Sequence, residues 1–160
     1  MRLAIFATGR MKSGPESELL QRYLDRSRKS GRQLGIQAVE IREFAESRKA
    51  LPLERMGEEA ATMLAARPAG SRLVILDERG QDLNSAAFSG YLRKCLETGI
   101  PDLVFMIGGP DGHGRAAIEA ADLSIRLGSL TWPHQIARIL LAEQIYRATT
   151  ILSGHPYHRE

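Results

Sequence analysis

A single cysteine, Cys95, stands in these 160 residues. That excludes an intrachain disulfide and a zinc site built on cysteines, and makes a reducing, cytoplasmic setting the default expectation. Long apolar runs are missing too. None approaches the ~20 residues that cross a bilayer as a helix. The apolar start, Met1-Arg2-Leu3-Ala4-Ile5-Phe6-Ala7, is cut off by Thr8-Gly9-Arg10, which leaves no signal-peptide h-region and no cleavage site. No composition shift, repeat or low-complexity tract divides the chain, so one domain over residues 1–160 is expected. Gly-x-Gly-x-x-Gly, Gly-Lys-Ser/Thr and Gly-x-Ser-x-Gly are all absent. Ordinary dinucleotide-binding, P-loop and nucleophile-elbow readings therefore lack their motifs.

Excess charge is small. The net of +3, from 22 Lys+Arg against 19 Asp+Glu, permits nucleic-acid binding without establishing it. Most of those cations are Arg, which forks onto phosphate better than Lys does, although a GC-rich genome produces the same bias. On the first expected helix Arg22, Arg26 and Lys29 fall at i, i+4, i+7, thickened by Arg28 and Arg32. This is either a solvated face or a phosphate-contacting patch.

Apolar residues make up 43% of the chain, enough for a real core. Strand-like and helix-like stretches alternate. Residues 3–7 read as a strand. Ser13-Gly14-Pro15-Glu16 has capping-box spacing and opens a helix to about residue 29, ended by Gly31 and Gly35. Residues 36–41 alternate as a second strand, and the charged stretch 42–51 reads as a loop. Pro52 opens a helix to residue 66 with Leu53, Met56, Ala60, Met63 and Leu64 on one face. Residues 72–77 read as a buried strand. Asn84 or Ser85 caps a helix to residue 97, with Phe88, Tyr91, Leu92, Cys95 and Leu96 inward. Residues 102–107 are a second continuous apolar strand, a short helix and a strand over 123–127 follow, and Pro133 starts a last helix to about residue 151. Continuous apolar strands alternating with helices predict an α/β fold with a mostly parallel sheet. The last helix is apolar around most of its circumference, so it is either deeply inserted in a monomer or covered by a second copy, and a homodimer is the favoured expectation.

In such sheets ligands bind beyond the carboxyl ends of the strands. Three segments should converge there: Leu76-Asp77-Glu78-Arg79-Gly80, Ile107-Gly108-Gly109-Pro110-Asp111-Gly112 and Leu127-Gly128-Ser129-Leu130-Thr131-Trp132-Pro133-His134. The chain then ends in His155-Pro156-Tyr157-His158-Arg159-Glu160, two imidazoles, a phenol and a guanidinium behind a proline. These groups move protons, stack on bases and fork onto phosphates. His155 and His158 alone do not make a metal site, and none is expected.

Three of these segments, Ile107-Gly108-Gly109-Pro110-Asp111-Gly112, Leu130-Thr131-Trp132-Pro133-His134 and His155-Pro156-Tyr157-His158-Arg159-Glu160, occur in the same order in one family, and Leu76-Asp77-Glu78-Arg79-Gly80 fits it as well. The chain resembles the ribosomal RNA large subunit methyltransferases H, minimal members of the SPOUT class, over essentially its whole length. The resemblance implies a SPOUT-type mostly parallel sheet flanked by helices, with a C-terminal trefoil knot, a homodimer, and S-adenosyl-L-methionine as cofactor. It implies methyl transfer to N3 of a pseudouridine in 23S rRNA, on the large subunit or assembled 70S ribosomes, with no role for DNA or membrane. Cofactor contacts are expected at Leu76, Gly108, Leu127, Gly128, Ser129, Leu130, Thr131 and Trp132, with Gly108 leaving room against the main chain. Trp132 departs from the smaller aliphatic residue usual there, and no role is assigned to His113. N3 carries a proton, so a base is needed. His158 is the first candidate and His134 the second, with Tyr157 on the target base and Arg159 and Arg147 on phosphate or the deprotonated ring. Glu143 lies at i, i−4 from Arg147, so an ion pair within the helix is the plainer reading of that arginine. The alternatives are a non-catalytic RNA-binding module of this fold and a methyltransferase for another RNA such as tRNA.

Overall fold

The computed structural model describes residues 1–157. Five parallel strands, β1 (Arg2–Thr8), β2 (Ala38–Phe44), β3 (Arg72–Asp82), β4 (Asp102–Ile107) and β5 (Leu123–Arg126), line up in the order β2-β1-β4-β3-β5. The helices are α1 (Pro15–Gly31), α2 (Pro52–Ala65), α3 (Ser85–Glu97), α4 (Arg115–Ala120) and α5 (His134–Leu152), with a 3-10 turn at Arg32–Leu34.

Successive side chains of a strand point to opposite faces, and both faces here are covered. Leu3, Ile5, Ala7, Val74, Leu103, Phe105 and Ile107 pack with α1, α3 and α5. Phe6, Leu73, Ile75, Val104 and Met106 pack with Ala60 and Met63 of α2 and Ala117 of α4. Double coverage is why β3 and β4 read as unbroken apolar runs rather than alternating ones.

Several boundaries differ from the sequence expectation for local reasons. At α1 the N-cap is Gly14. Ser17 Oγ accepts from the Gly14 N–H (3.2 Å) and donates to its carbonyl (2.9 Å), so Ser13 and Glu16 do not form the box. β2 starts two residues later than expected because Ile36 N–H is taken by Gly31 O and Gln37 N–H by Met1 O, and it runs on to Phe44 opposite Thr8. Leu53 is 79% exposed, not on the buried face of α2. β3 extends five residues past Asp77. Its tail returns to the β5 edge, so that Ile125 lies opposite both Leu76 and Gln81. Gly80 makes this possible, since a Cβ there would sit 2.6 Å from the Ile125 backbone.

α5 buries nine residues and packs against α1, α3 and β4. Much of its apolar circumference is thus covered within one chain. Cys95 is buried on α3 beside Tyr91, and burial pushes both their pKa values up. No helix among the described residues is long and apolar enough to cross a membrane.

Candidate active site

The three strand-end segments do converge. A cleft of about 800 Å³ opens at the carboxyl ends of β3, β4 and β5, reached also by Met56 of α2 and by His134 and Ala137 of α5. Leu76, Gly108, Leu127, Gly128, Ser129, Leu130, Thr131 and Trp132 all line it.

Each wall is held by identifiable contacts. After β4, residues 109–112 form a tight turn closed by Gly112 N–H to Gly109 O at 2.9 Å, with Gly112 at φ +88°. A Cβ on Gly108 would lie 2.7 Å from the Gly112 carbonyl oxygen. Gly108 is therefore needed for the turn to fold onto itself, and the room it leaves is filled by main chain from the same turn. Asp111 at the tip takes a two-pronged ion pair from Arg55 of α2 (2.7 and 3.2 Å), which holds its carboxyl below the usual range. Arg55 also donates to the carbonyls of Lys49 and Ala50.

His113 is buried under this wall. Its Nε2 donates to the carbonyl of Leu76 at 3.0 Å, since a carbonyl only accepts, and this ties the β4 loop to the end of β3. Burial, opposed by that hydrogen bond and by Asp77, lowers its pKa, so the ring is neutral at pH 7. Asp77 is itself pulled down by Arg79, whose backbone and guanidinium both donate to it.

The third wall is the loop after β5. Gly128 turns it at φ +90°. Trp132 closes it, its indole N–H donating to Leu127 O at 2.8 Å. The aromatic at this position thus clasps its own loop as well as lining the cleft. Leu130, 71% exposed, and Trp132, 41% exposed, are among the large apolar side chains left open to solvent, and both face this cleft. Apolar walls beside open main-chain groups suit a ligand with a flat ring and polar edges.

The expected proton-transfer and phosphate residues do not all gather here. His134 opens α5 at the cleft. Arg147 lies further along α5 and pairs with Glu143 at 2.6 Å, the plainer of its two readings. Tyr157 donates to the same Glu143 carboxylate (3.1 Å), lies 4.6 Å from the Tyr146 ring and sits under the Arg147 guanidinium. Burial, with Tyr23 and Glu143 nearby, pushes its phenol up to about 12. His158 and Arg159 lie outside the described residues.

Arg22, Arg26 and Lys29 are exposed on α1, with Arg26 over the Tyr23 and Tyr146 rings. Arg28 is engaged instead by Asp25 and the Val39 carbonyl.

Sequence reasoning missed Arg138. Fully buried, it donates to Thr8 O (2.6 Å), Gly9 O (3.0 Å) and Glu43 Oε1 (2.8 Å), fastening α5 to the ends of β1 and β2. A lone charge inside Ile136-Ala137-Arg138-Ile139-Leu140-Leu141 was the available signal, because a cation in an apolar run is buried only if paired.

Residues 1–158 match the family described as predicted SPOUT methyltransferases. The chain is 52% identical over 159 residues to the ribosomal RNA large subunit methyltransferase H of Brucella anthropi, spanning 99% of each chain. It is 50% identical over 160 residues, the whole of both chains, to the protein of that name from Methylocella silvestris. The Rhizobium etli protein of that name is 50% identical over 159 residues, 99% of each. Among solved structures, a methylase family protein from Neisseria gonorrhoeae superposes with a TM-score of 0.50 at 12% identity, covering 99% of this chain and 86% of that one, which bears on the fold alone.

Proposed function

The chain belongs to the SPOUT methyltransferase family, and from that premise we propose that it methylates N3 of a pseudouridine in 23S rRNA of the large ribosomal subunit, using S-adenosyl-L-methionine. The carrying observation is the cleft at the ends of β3, β4 and β5, in a chain about half identical, end to end, to relatives named for large-subunit rRNA methylation.

The residues present fit the cofactor. Leu76, Leu127, Leu130 and Trp132 offer an apolar slot, and the loops 108–112 and 127–132 offer main-chain donors and acceptors. When bound, it supplies a methyl group carried on a sulfonium. The protein must then hold the acceptor nitrogen in line and remove its proton. His158 is the proposed proton acceptor, with His134, at the mouth of the cleft, as the second candidate. Tyr157 is assigned to the target base, and Arg159 and Arg147 to phosphate or the anionic ring.

The tail is proposed to act on the cleft of a second copy in a homodimer. Tyr157 is anchored to Glu143, about 13 Å along α5 from His134 at ~1.5 Å per residue, and His155 N–H is bound to Thr150 O further on still. Partly exposed Ile136, Leu140 and Ile151 on α5 supply apolar surface for such a partner. The match of residues 1–158 to the SPOUT methyltransferase family supports a C-terminal trefoil knot. A cytoplasmic location accords with a ribosomal substrate.

The test is transfer of labelled methyl to unmodified 70S ribosomes, 50S subunits, naked 23S rRNA and tRNA, followed by nucleoside mapping. N3-methylpseudouridine in 23S rRNA, formed best on 70S ribosomes, is the expected product. Label confined to tRNA, or none with the cofactor bound, refutes the assignment.

A further inference from the structure

The carboxyl edge of the sheet has a second half, over β1 and β2, which the cleft does not use. Two loops leave it. Gly9-Arg10-Met11-Lys12 follows β1, and Ala45-Glu46-Ser47-Arg48-Lys49 follows β2. Arg10, Lys12, Arg48 and Lys49 are exposed, and among the described residues none of their side chains has a hydrogen bond or ion pair.

The backbones beneath these cations are fastened. Gly9 N–H donates to Phe44 O at 2.7 Å, and the carbonyls of Thr8 and Gly9 accept from buried Arg138. Met11 N–H donates to Glu43 Oε1 at 2.8 Å, the oxygen that also receives Arg138. Gly9 turns at φ +85°, and a Cβ there would meet Glu46 Oε1 at 2.7 Å. In the second loop Ser47 N–H donates to Glu59 Oε1 at 2.9 Å and Ser47 Oγ donates to Glu58. Glu43 and Glu59 each hold a backbone N–H, Glu58 holds the Ser47 hydroxyl, and Glu46 lies against Gly9, while the cations face solvent.

These loops adjoin the cleft. A Cβ on Gly109 would touch Thr8 Cγ2 at 3.1 Å. Arg55 joins the carbonyls of Lys49 and Ala50 to Asp111 at the cleft's rim. With the backbone beneath them already ordered, cations beside a site for a polyanion gain affinity by counterion release and bear an ordering cost in their side chains alone.

We propose that Arg10, Lys12, Arg48 and Lys49 form a fixed cationic ledge that takes backbone phosphates of the RNA substrate alongside the methyl-transfer cleft. This rests on the RNA reading above. Each phosphate contact changes the slope of log K against log salt by roughly 0.7–0.9. R10A/K12A therefore loses about 1.6 units of slope for large ribosomal subunits, and wild type weakens about tenfold more than the variant between roughly 50 and 200 mM potassium chloride. Isothermal titration with S-adenosyl-L-methionine reads the same for both. R93A/K94A, which removes the same charge from exposed positions on α3, keeps the wild-type slope. An unchanged slope in R10A/K12A, or an equal loss in R93A/K94A, overturns the ledge. Wild-type protein that ignores large subunits at every salt overturns the RNA reading and the ledge with it, whereas a wild type that binds while R10A/K12A behaves identically removes the ledge alone.

Discussion

Replacing Arg138 with Met removes a side chain that hydrogen-bonds α5 to the ends of β1 and β2. It takes a donor from three acceptors, the Thr8 and Gly9 carbonyls and Glu43 Oε1. Breaking a buried pair at one partner costs about 3–5 kcal/mol. Glu43 keeps its bond from Met11 N–H and is 28% exposed, so water reaches it and the low end applies. The carbonyls have no such relief and cost about 1–3 kcal/mol if left unpaired. Because these terms overlap, the expected loss is about 3 kcal/mol, or roughly 6–12 °C in Tm for a domain of this size. R138K keeps the charge but loses the fork, and should fall roughly midway. Urea unfolding followed by circular dichroism measures both, and R138M/E43Q closes a double-mutant cycle. A loss below about 1 kcal/mol for R138M, or strict additivity with E43Q, refutes the claim that this guanidinium clasps the strand ends.

Removing residues 155–160 should abolish methyl transfer while circular dichroism and cofactor titration stay near wild type; an unfolded truncation would make the tail structural. H158A should cut the methylation rate far more than it weakens ribosome binding, and an unchanged rate dismisses His158 as the base. W132F loses the 2.8 Å bond to Leu127 O but keeps an aromatic wall, so cofactor affinity should drop roughly 2–10-fold, the worth of one hydrogen bond; titration calorimetry decides. His113 is held below its ordinary value of about 6.5 chiefly by burial. The unfolded chain therefore binds its proton first as pH falls. Stability from this site is complete above pH 6.5 and declines below it, by up to about 1.4 kcal/mol per pH unit. Urea midpoints from pH 8 to 5 should show this decline, and H113N should flatten it.

What was legible in the sequence is what depends on local pattern. Residues 103–107 are apolar on both faces, and the strand over 102–107 is as the sequence predicts. Asn84 caps α3 through its own side chain to Ala87 N–H, a contact three residues long. The convergence of residues 76, 108 and 127–132 on one cleft follows from strand ends in a parallel sheet. Illegible features depend on partners far off in the chain. The polar tail of β3, Glu78-Arg79-Gly80-Gln81-Asp82, looks like a turn, and only its approach to Ile125 makes it a strand. Gly108 was assigned to ligand room because the folding of Gly112 back over it is invisible in one dimension. Arg138 needed three acceptors about 95 to 130 residues away, and Trp132 a carbonyl rather than a side chain.

The solitary thiol on α3 has a practical corollary. Cys95 sits in the apolar interior with its ionisation suppressed, so iodoacetamide has no thiolate to attack while the domain is shut. Alkylation then proceeds only through openings that expose α3. One residue's labelling rate, followed by mass spectrometry, becomes a clock for how often the native protein breathes.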